Sequence, residues 1–355
     1  MGLTILNVAY VFAPVSPDTA GGAEQVLAAL DQALVAEGHR SLVIACAGSK
    51  TAGELLATAP LPAKFTDELR RRVQQEHRQR IEQALRRWPV DLVHCHGHDF
   101  AEYLPPSGVP TLVTLHLPVD HYPPGALSER RSRRYFNCVS ASQRRTFLAN
   151  EAMLPEIPNG VPVAELQAQH AKRRFALALG RICPEKGFHH ALDAAALAQT
   201  PLLIAGQVFP YPDHEQYFAE NIQPRLGPHA RFLGNFDFAR KRRFLTAAKC
   251  IVVPSLIAEA SSLVAMEAIA CGTPVVAFPV GALPDLIEPG VTGFLVRDTR
   301  EMAEGIQASG GIDRNRCREI ARRRFSLERM IEGYFGYYRK LAAAAQSGAK
   351  ARWYA

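Results

Sequence analysis

The feature that most constrains this chain is an alternation that occurs twice. "LTILNVAYVF" reads as a buried strand, and "AEQVLAALDQALVAEG" follows it as an amphipathic helix closed by Gly38. "RSLVIACA", "VDLVHCH" and "PTLVTLH" are further short apolar strands. After Asn159-Gly160 the pattern restarts with "FALALG", helix "HHALDAAALAQ", strand "PLLIAG" and then "ARFLG". It continues through helix "FARKRRFLTAAK", strand "CIVVPS", helix "SLVAMEAIACG" and strand "TPVVAF". Strands that take turns with helices form parallel sheets covered on both faces. Two such series predict two doubly wound α/β domains, 1–163 and 164–325, in a chain of 355 residues that exceeds one ordinary core. The segment 326–355 is helical and has no strand partner.

Composition narrows the class. Hydrophobic content of 48% and charged content of 21% are those of a globular protein. A net charge of +7 favours an anionic ligand or surface. With 8% aromatic residues and no aromatic-basic repeat, nothing marks a nucleic-acid track, so no nucleic-acid partner is expected. The seven cysteines stand at 46, 95, 138, 183, 250, 271 and 317 with no CxxC pair. They read as small core residues in a reducing, cytoplasmic setting. The apolar N-terminus lacks a basic flank and reads as a strand rather than a leader. The longest later uncharged run, "AIACGTPVVAFPVGALP", is broken by glycines and prolines and does not span a membrane.

The usual nucleotide motifs are missing: there is no GxxxxGK[ST], and no GxGxxG follows the first strand. Gly21-Gly22 instead precede a helix with Glu24 in its first turn. Amides at such a start can face a phosphate, and a plain turn is the competing reading. In "GRICPEKG", Arg181 and Lys186 follow a strand end and Gly187 opens a helix. Two cations there suit a diphosphate, or are solvated surface charges.

Glu259 and Glu267 lie eight positions apart in "EASSLVAMEAIACGTPVVA". Glu259 falls in a loop after "CIVVP", and the helix begins near Ser261 or Ser262. Glu267 therefore sits inside a mostly apolar helix, where a carboxylate is costly unless hydrogen-bonded. Ribose hydroxyls would satisfy it, as would a buried amide or Arg. Amides of Ser261, Ser262 and Leu263 form a second helix N-terminus that can seat a phosphate.

These segments together resemble the retaining glycosyltransferases of family 4, with the GT-B fold. The motifs are "GGAE" at 21–24, "DLVHCH" at 91–96, "TLH" at 114–116, "PNGV" at 158–161 and "GRICPEKG" at 180–187. They continue with "LIAG" at 203–206, "FLG" at 232–234, "EASSLVAME" at 259–267, "ACGTPVVA" at 270–277 and "GVTGFLV" at 290–296. The resemblance implies two Rossmann-like domains facing a cleft, with the last helix crossing back to the first domain. It implies that Arg181 and Lys186 neutralise the donor diphosphate in place of a metal, so no metal ion or other cofactor is required. It implies that Glu267 binds ribose, Glu259 holds hydroxyls of the transferred sugar, and His116 faces that sugar near the reacting carbon. Amides at Gly21, Gly22, Ser261, Ser262 and Leu263 would cap phosphate oxygens. Ala260-Ser261-Ser262 departs from the Gly-Phe-Gly-like triplet common in the family; serines supply the same amides and add hydroxyls.

The implied reaction moves a hexose from a nucleoside-diphosphate sugar, UDP-glucose favoured over GDP-mannose, to a hydroxyl of a glycan, glycolipid or small molecule. A GT-B sugar-nucleotide epimerase and a non-catalytic nucleotide-sugar-binding protein are the competing readings. His94 reads as core, His96 and His98 as facing the cleft, and alternating positions in "HCHGH" make a weak zinc signature. The 64–88 segment pairs a basic face with apolar Phe65, Leu69, Val73, Ile81, Leu85 and Trp88. It reads as a helix packed on the domain or as a peripheral contact with an anionic membrane. "ERRSRRYF", with Arg144 and Arg145, keeps an anionic acceptor open.

Overall fold

The two apolar series build two six-stranded sheets, every pairing in them parallel. The computed structural model describes residues 2–60, 65–105, 108–123, 125–127, 133–147, 152–168 and 170–347. The chain divides into two units, Met1–Pro158 with Met330–Ala355, and Asn159–Arg329. These divisions lie a few residues from 163 and 325. Val161 is tied to the second unit by Val161 N–H donating to Phe325 O (2.8 Å) and Leu327 N–H to Val161 O (3.1 Å).

The first unit contains β1 (Thr4–Val8), α1 (Gly22–Ala36), β2 (Arg40–Cys46), β3 (Glu54–Thr58) and α2 (Asp67–Arg87). It continues with β4 (Leu92–Cys95), β5 (Thr111–Leu115), β6 (Arg134–Cys138) and α3 (Ala141–Arg145), in strand order β3-β2-β1-β4-β5-β6. One face of the sheet, with Leu6, Val8, Leu42, Ile44, Val93 and Val113, packs on Val73, Ile81 and Ala84 of α2. The other, with Val43 and Ala45, packs on Leu27 and Ala28 of α1.

The second unit holds α4 (Val163–Leu166), β7 (Ala176–Leu179), α5 (Phe188–Leu197), β8 (Leu202–Ala205), α6 (Pro212–Tyr217), β9 (Ala230–Phe232) and α7 (Phe238–Ala247). Then come β10 (Cys250–Val253), α8 (Leu263–Ala270), β11 (Val275–Ala277), α9 (Leu283–Leu286), β12 (Gly293–Leu295), α10 (Thr299–Ala308) and α11 (Arg314–Arg324). Its strand order is β12-β11-β10-β7-β8-β9, the same winding as in the first unit. The winding of each sheet reverses once, between β1 and β4 and between β7 and β10. Ligands of doubly wound sheets sit at this reversal, beyond the strand C-termini.

The first strand ends at Val8, short of Phe12, and β3 and β6 carry no clear apolar signature. β3 is a half-buried sheet edge. β6 buries polar Arg134 and Asn137.

A last helix, α12 (Leu327–Gln346), belongs to the first unit from Met330 onward. Its tyrosines complete a buried polar chain. Thr114 donates its hydroxyl proton to Asn137 Oδ1 (2.7 Å), so His94 Nε2 must be the donor to Thr114 Oγ1 (2.7 Å). His94 Nδ1 is left to accept from the Tyr338 hydroxyl (2.8 Å). His94 is thus a structural residue, and burial, with His116 nearby, holds it well below its ordinary pKa as the neutral ring this chain needs. Tyr338→Phe orphans that buried nitrogen. A loss of about 1–3 kcal/mol in urea denaturation is expected, and an unchanged midpoint would contradict the assignment.

The apolar residues of the 64–88 segment pack in the core as the packed-helix reading requires: Val73 and Ile81 are buried, and Phe65, Leu69, Leu85 and Trp88 lean on the same cluster. Only the basic face, with Arg71, Arg72, Arg78, Arg80, Arg86 and Arg87 exposed, is left to meet an anionic surface. Lys64, and 129–132 of "ERRSRRYF", lie outside the described residues. No helix among the described residues is long and apolar enough to cross a membrane. All seven cysteines are buried and free.

Candidate functional site

In the second unit the reversal point gathers most of the residues singled out by sequence. Gly180 follows the end of β7 at Leu179, and the turn Pro184–Lys186 comes next. Across the reversal, β10 ends at Val253 and its loop carries Ser255 and Glu259. The two are stitched together by Leu256 N–H donating to Glu185 O (2.8 Å).

Gly187 makes this approach feasible. It adopts φ +60°, and a Cβ there would lie 2.3 Å from Pro254 O. Gly281 does the same behind Glu259: φ is +57°, and a Cβ would lie 2.3 Å from both Glu259 N and O. The carboxylate is therefore held from its backbone outward.

Glu259 is 8% exposed, and its Oε1 pairs with Lys186 Nζ at 2.6 Å. Ser255 Oγ donates to the same oxygen. Burial pushes this carboxyl up, yet the Lys186 charge and hydrogen bond, with the Ser255 and Ser262 hydroxyls, outweigh burial and leave its pKa below the ordinary value. It is an ionised, buried carboxylate with a second oxygen still able to accept.

Glu267 lies on α8, 3% exposed, and pairs with Lys241 Nζ of α7 at 2.5 Å. The expected buried partner exists, but it is a lysine rather than an amide or Arg. Sequence reasoning missed it because Lys241 stands in a run of four cations, Arg240 to Arg243. The signal was spacing: Phe238, Lys241 and Leu245 share one helical face.

Helix α8 begins at Leu263 with Ser262 as N-cap, and no side chain bonds the first-turn amides as a cap. Beside them Ser261 Oγ, also buried, has no partner among the described residues. The Arg181 side chain likewise has no hydrogen bond or ion pair there. The structure thus brings Arg181, Lys186, Glu259, Ser261, Ser262, Leu263 and Glu267 to one sheet edge. The arrangement offers cations, free amides and two buried carboxylates to a ligand that is anionic at one end and rich in hydroxyls at the other.

One further group near this loop can hold a metal. Cys183, Glu185 and His214 place one ligand atom each within 4.8 Å of one another.

In the first unit, Gly21 and Gly22 start α1, again without a capping side chain. The Glu24 carboxylate folds back over Gly21, its Oε2 1.8 Å from where a Cβ would stand. His116 follows β5 and His96 follows β4. His116 Nε2 and His96 Nδ1 lie 3.0 Å apart, so one ring donates to the other. Burial pushes His116 down to about 3, and burial with His94 and His116 holds His96 well below its ordinary value, so both rings are neutral. The His96–His116 pair had no sequence signal beyond the alternation in "HCHGH". The His98 ring lies tilted against Tyr10 with ring centroids 4.7 Å apart.

Two family descriptions match the chain: Glycosyltransferase Family 4 over residues 20–165 and Glycosyl transferases group 1 over residues 173–309. A phosphatidyl-myo-inositol mannosyltransferase of Mycobacterium leprae is 33% identical over 167 residues, 43% of this chain and 43% of that protein. An alpha-maltose-1-phosphate synthase of Mycobacterium tuberculosis is 30% identical over 175 residues, 46% of this chain and 44% of that one. The chain thus spans less than half the length of these curated relatives. Among solved structures, sucrose-phosphate synthase from Thermosynechococcus elongatus shares the fold with a TM-score of 0.78 at 22% identity, covering 96% of this chain and 100% of that one. Anabaena HepE in complex with UDP-glucose does so with a TM-score of 0.74 at 20% identity, covering 97% and 100%. With two matching winding patterns and both family descriptions side by side along it, the chain belongs to the family 4 glycosyltransferases and has the GT-B fold.

Proposed function

We propose that this protein transfers a hexose from a nucleoside-diphosphate sugar to an acceptor hydroxyl with retention of configuration, in the cytoplasm, using no metal ion. The carrying observation is the Lys186–Glu259 pair, 2.6 Å apart, its carboxylate buried beside uncapped α8 amides at the reversal of the second sheet. Departure of a nucleoside diphosphate builds negative charge on the leaving phosphate as the anomeric carbon turns oxocarbenium-like. Arg181, Lys186 and the α8 amides stabilise that charge without reorganising. Glu267 accepts from the ribose hydroxyls. Glu259 accepts from hydroxyls of the transferred sugar through the oxygen that Lys186 and Ser255 leave open.

Within the first unit, the Gly21 and Gly22 amides at the start of α1 are the groups suited to a phosphate. His116 is assigned to the transferred sugar on this reading, where its neutral ring would donate or accept a hydrogen bond and bring no positive charge. The leaving phosphate takes the acceptor proton on this scheme, and no enzymic base is required. UDP-glucose is the favoured donor, supported by the HepE complex with UDP-glucose on the same fold; GDP-mannose is the second, supported by the mannosyltransferase relatives.

The experiment is a thermal-shift screen of UDP-, GDP- and ADP-sugars, followed by nucleoside diphosphate release with and without acceptor alcohols. Acceptor-dependent release supports transfer. Epimerised donor without release, or binding with no reaction, would replace it with one of the competing readings. Turnover is expected to survive EDTA. Activity abolished by EDTA and restored by a divalent ion contradicts metal independence, and Cys183→Ser with His214→Ala would then show whether their cluster holds the ion.

A further inference from the structure

The strand N-termini of the second sheet carry a separate feature. Arg173 and Arg174 precede β7, Lys249 precedes β10 and Pro274 precedes β11. In a parallel sheet these loops lie at the edge opposite Arg181, Lys186 and Glu259. There they line a cavity of about 200 Å³ together with Lys172, Ser309, Gly310, Ile312 and Arg314. Five lining side chains are cations and none is a carboxylate. Among the described residues, the side chains of Arg173, Arg174, Lys249 and Arg314 have no ion-pair partner. The adjacent acid, Asp313, is engaged in accepting from Asn315 N–H (2.8 Å) at the start of α11.

Lys172 is the inner member. Its ammonium is partly buried and bonds Thr273 Oγ1 at 2.5 Å. Burial, and then the like charges of Arg314 and Arg318, push its pKa down to about 7 against the opposing pull of Cys271 and Cys317. A cation kept among cations, without an acid, is costly unless an anion joins it.

The geometry points to this cavity as a second ligand site, which takes a phosphate group through Lys172, Lys249 and Arg314. Its place at the opposite sheet edge makes it independent of the donor reading above. The phosphate belongs either to a small soluble phosphomonoester or to a lipid headgroup.

The test titrates inorganic phosphate into the full chain by calorimetry, for wild type and for Lys249→Gln/Arg314→Gln. Lys249 is half-buried and Arg314 exposed, so the fold is not at stake. Removing each charge-assisted hydrogen bond should weaken phosphate binding by about tenfold. No phosphate binding by the wild type, or equal affinity in the double variant, overturns the proposal; equal affinity would mean that phosphate sits elsewhere, as at Arg181 and Lys186. Vesicles containing phosphatidic acid identify the source: binding that the double variant loses means a headgroup, and no vesicle binding by the wild type means a soluble phosphate. Sulfate, whose charge is constant near neutrality, supplies a third readout. Its affinity should fall as pH rises past about 7, because binding favours the charged Lys172, and Lys172→Met should abolish that slope.

Discussion

Lys186→Met is expected to lower kcat by about 10²- to 10³-fold, the range seen when one preorganised donor to a developing negative charge is removed. A second effect falls on the fold. Glu259 would remain buried with Ser255 and Ser262 but without its cation, and breaking a buried pair costs on the order of 3 kcal/mol, the lower end being apt because the Lys186 side chain keeps 26% exposure. The pH dependence follows from the direction of the Glu259 shift. In the wild type the folded pKa is depressed, so the carboxylate contributes stability above its unfolded value and loses it as pH falls through the folded value. In the variant, burial is the largest influence and is opposed only by the Ser255 and Ser262 hydroxyls, so the folded pKa is expected to rise and the carboxylate to cost stability as pH rises. Urea denaturation should therefore show a gap between the two proteins that widens from pH 4 to pH 7. A gap that ignores pH would mean that Lys186 does not hold Glu259.

Lys241→Met is expected to be the most destabilising single change at the site. Lys241 and Glu267 are 13% and 4% exposed, so the change strands a carboxylate inside the unit. The expected loss is about 3–5 kcal/mol, or a Tm lower by roughly 10 °C. Lys241→Met/Glu267→Met should recover most of that loss, since an apolar pair of similar size needs no desolvation. That double variant separates two roles of Glu267. If the carboxylate also binds ribose, the refolded, stable double variant should still bind nucleoside diphosphate about ten- to a hundredfold more weakly. A stable double variant with wild-type nucleotide affinity would reduce Glu267 to a structural partner of Lys241.

The strands that sequence displayed best are those buried on both faces, such as Val275–Ala277 and Cys250–Val253, where every position is apolar. β6 was invisible because Arg134 and Asn137 interrupt it, and what makes Asn137 tolerable is Thr114 and Tyr334, the latter 197 residues away. The apolar pattern runs past the first strand because Ala9, Val11 and Phe12 are as buried after the strand as the residues within it. At the site, Glu259, Glu267, Arg181 and Lys186 stood out by spacing after apolar runs. Lys241 did not, since nothing in "ARKRRF" distinguishes the one cation that faces α8. His94 reads as core because it closes an apolar strand, and His96 as facing the cleft, yet their rings lie against each other with centroids 3.9 Å apart. Their partners separate them: one closes a hydrogen bond to a tyrosine 244 residues away, and the other bonds His116.

The central claim is that the two glutamates hold different ends of one donor. Calorimetric affinity for the free nucleoside diphosphate, measured beside kcat for Glu259→Gln and Glu267→Gln, tests it most directly. Glu267→Gln should weaken nucleoside diphosphate binding by about ten- to a hundredfold and act mainly through KM, because the ribose bond is present in ground and transition states alike. Glu259→Gln should leave nucleoside diphosphate affinity little changed and should lower kcat, if the carboxylate meets only the sugar as proposed. Weaker nucleoside diphosphate binding in Glu259→Gln than in Glu267→Gln would contradict the assignment.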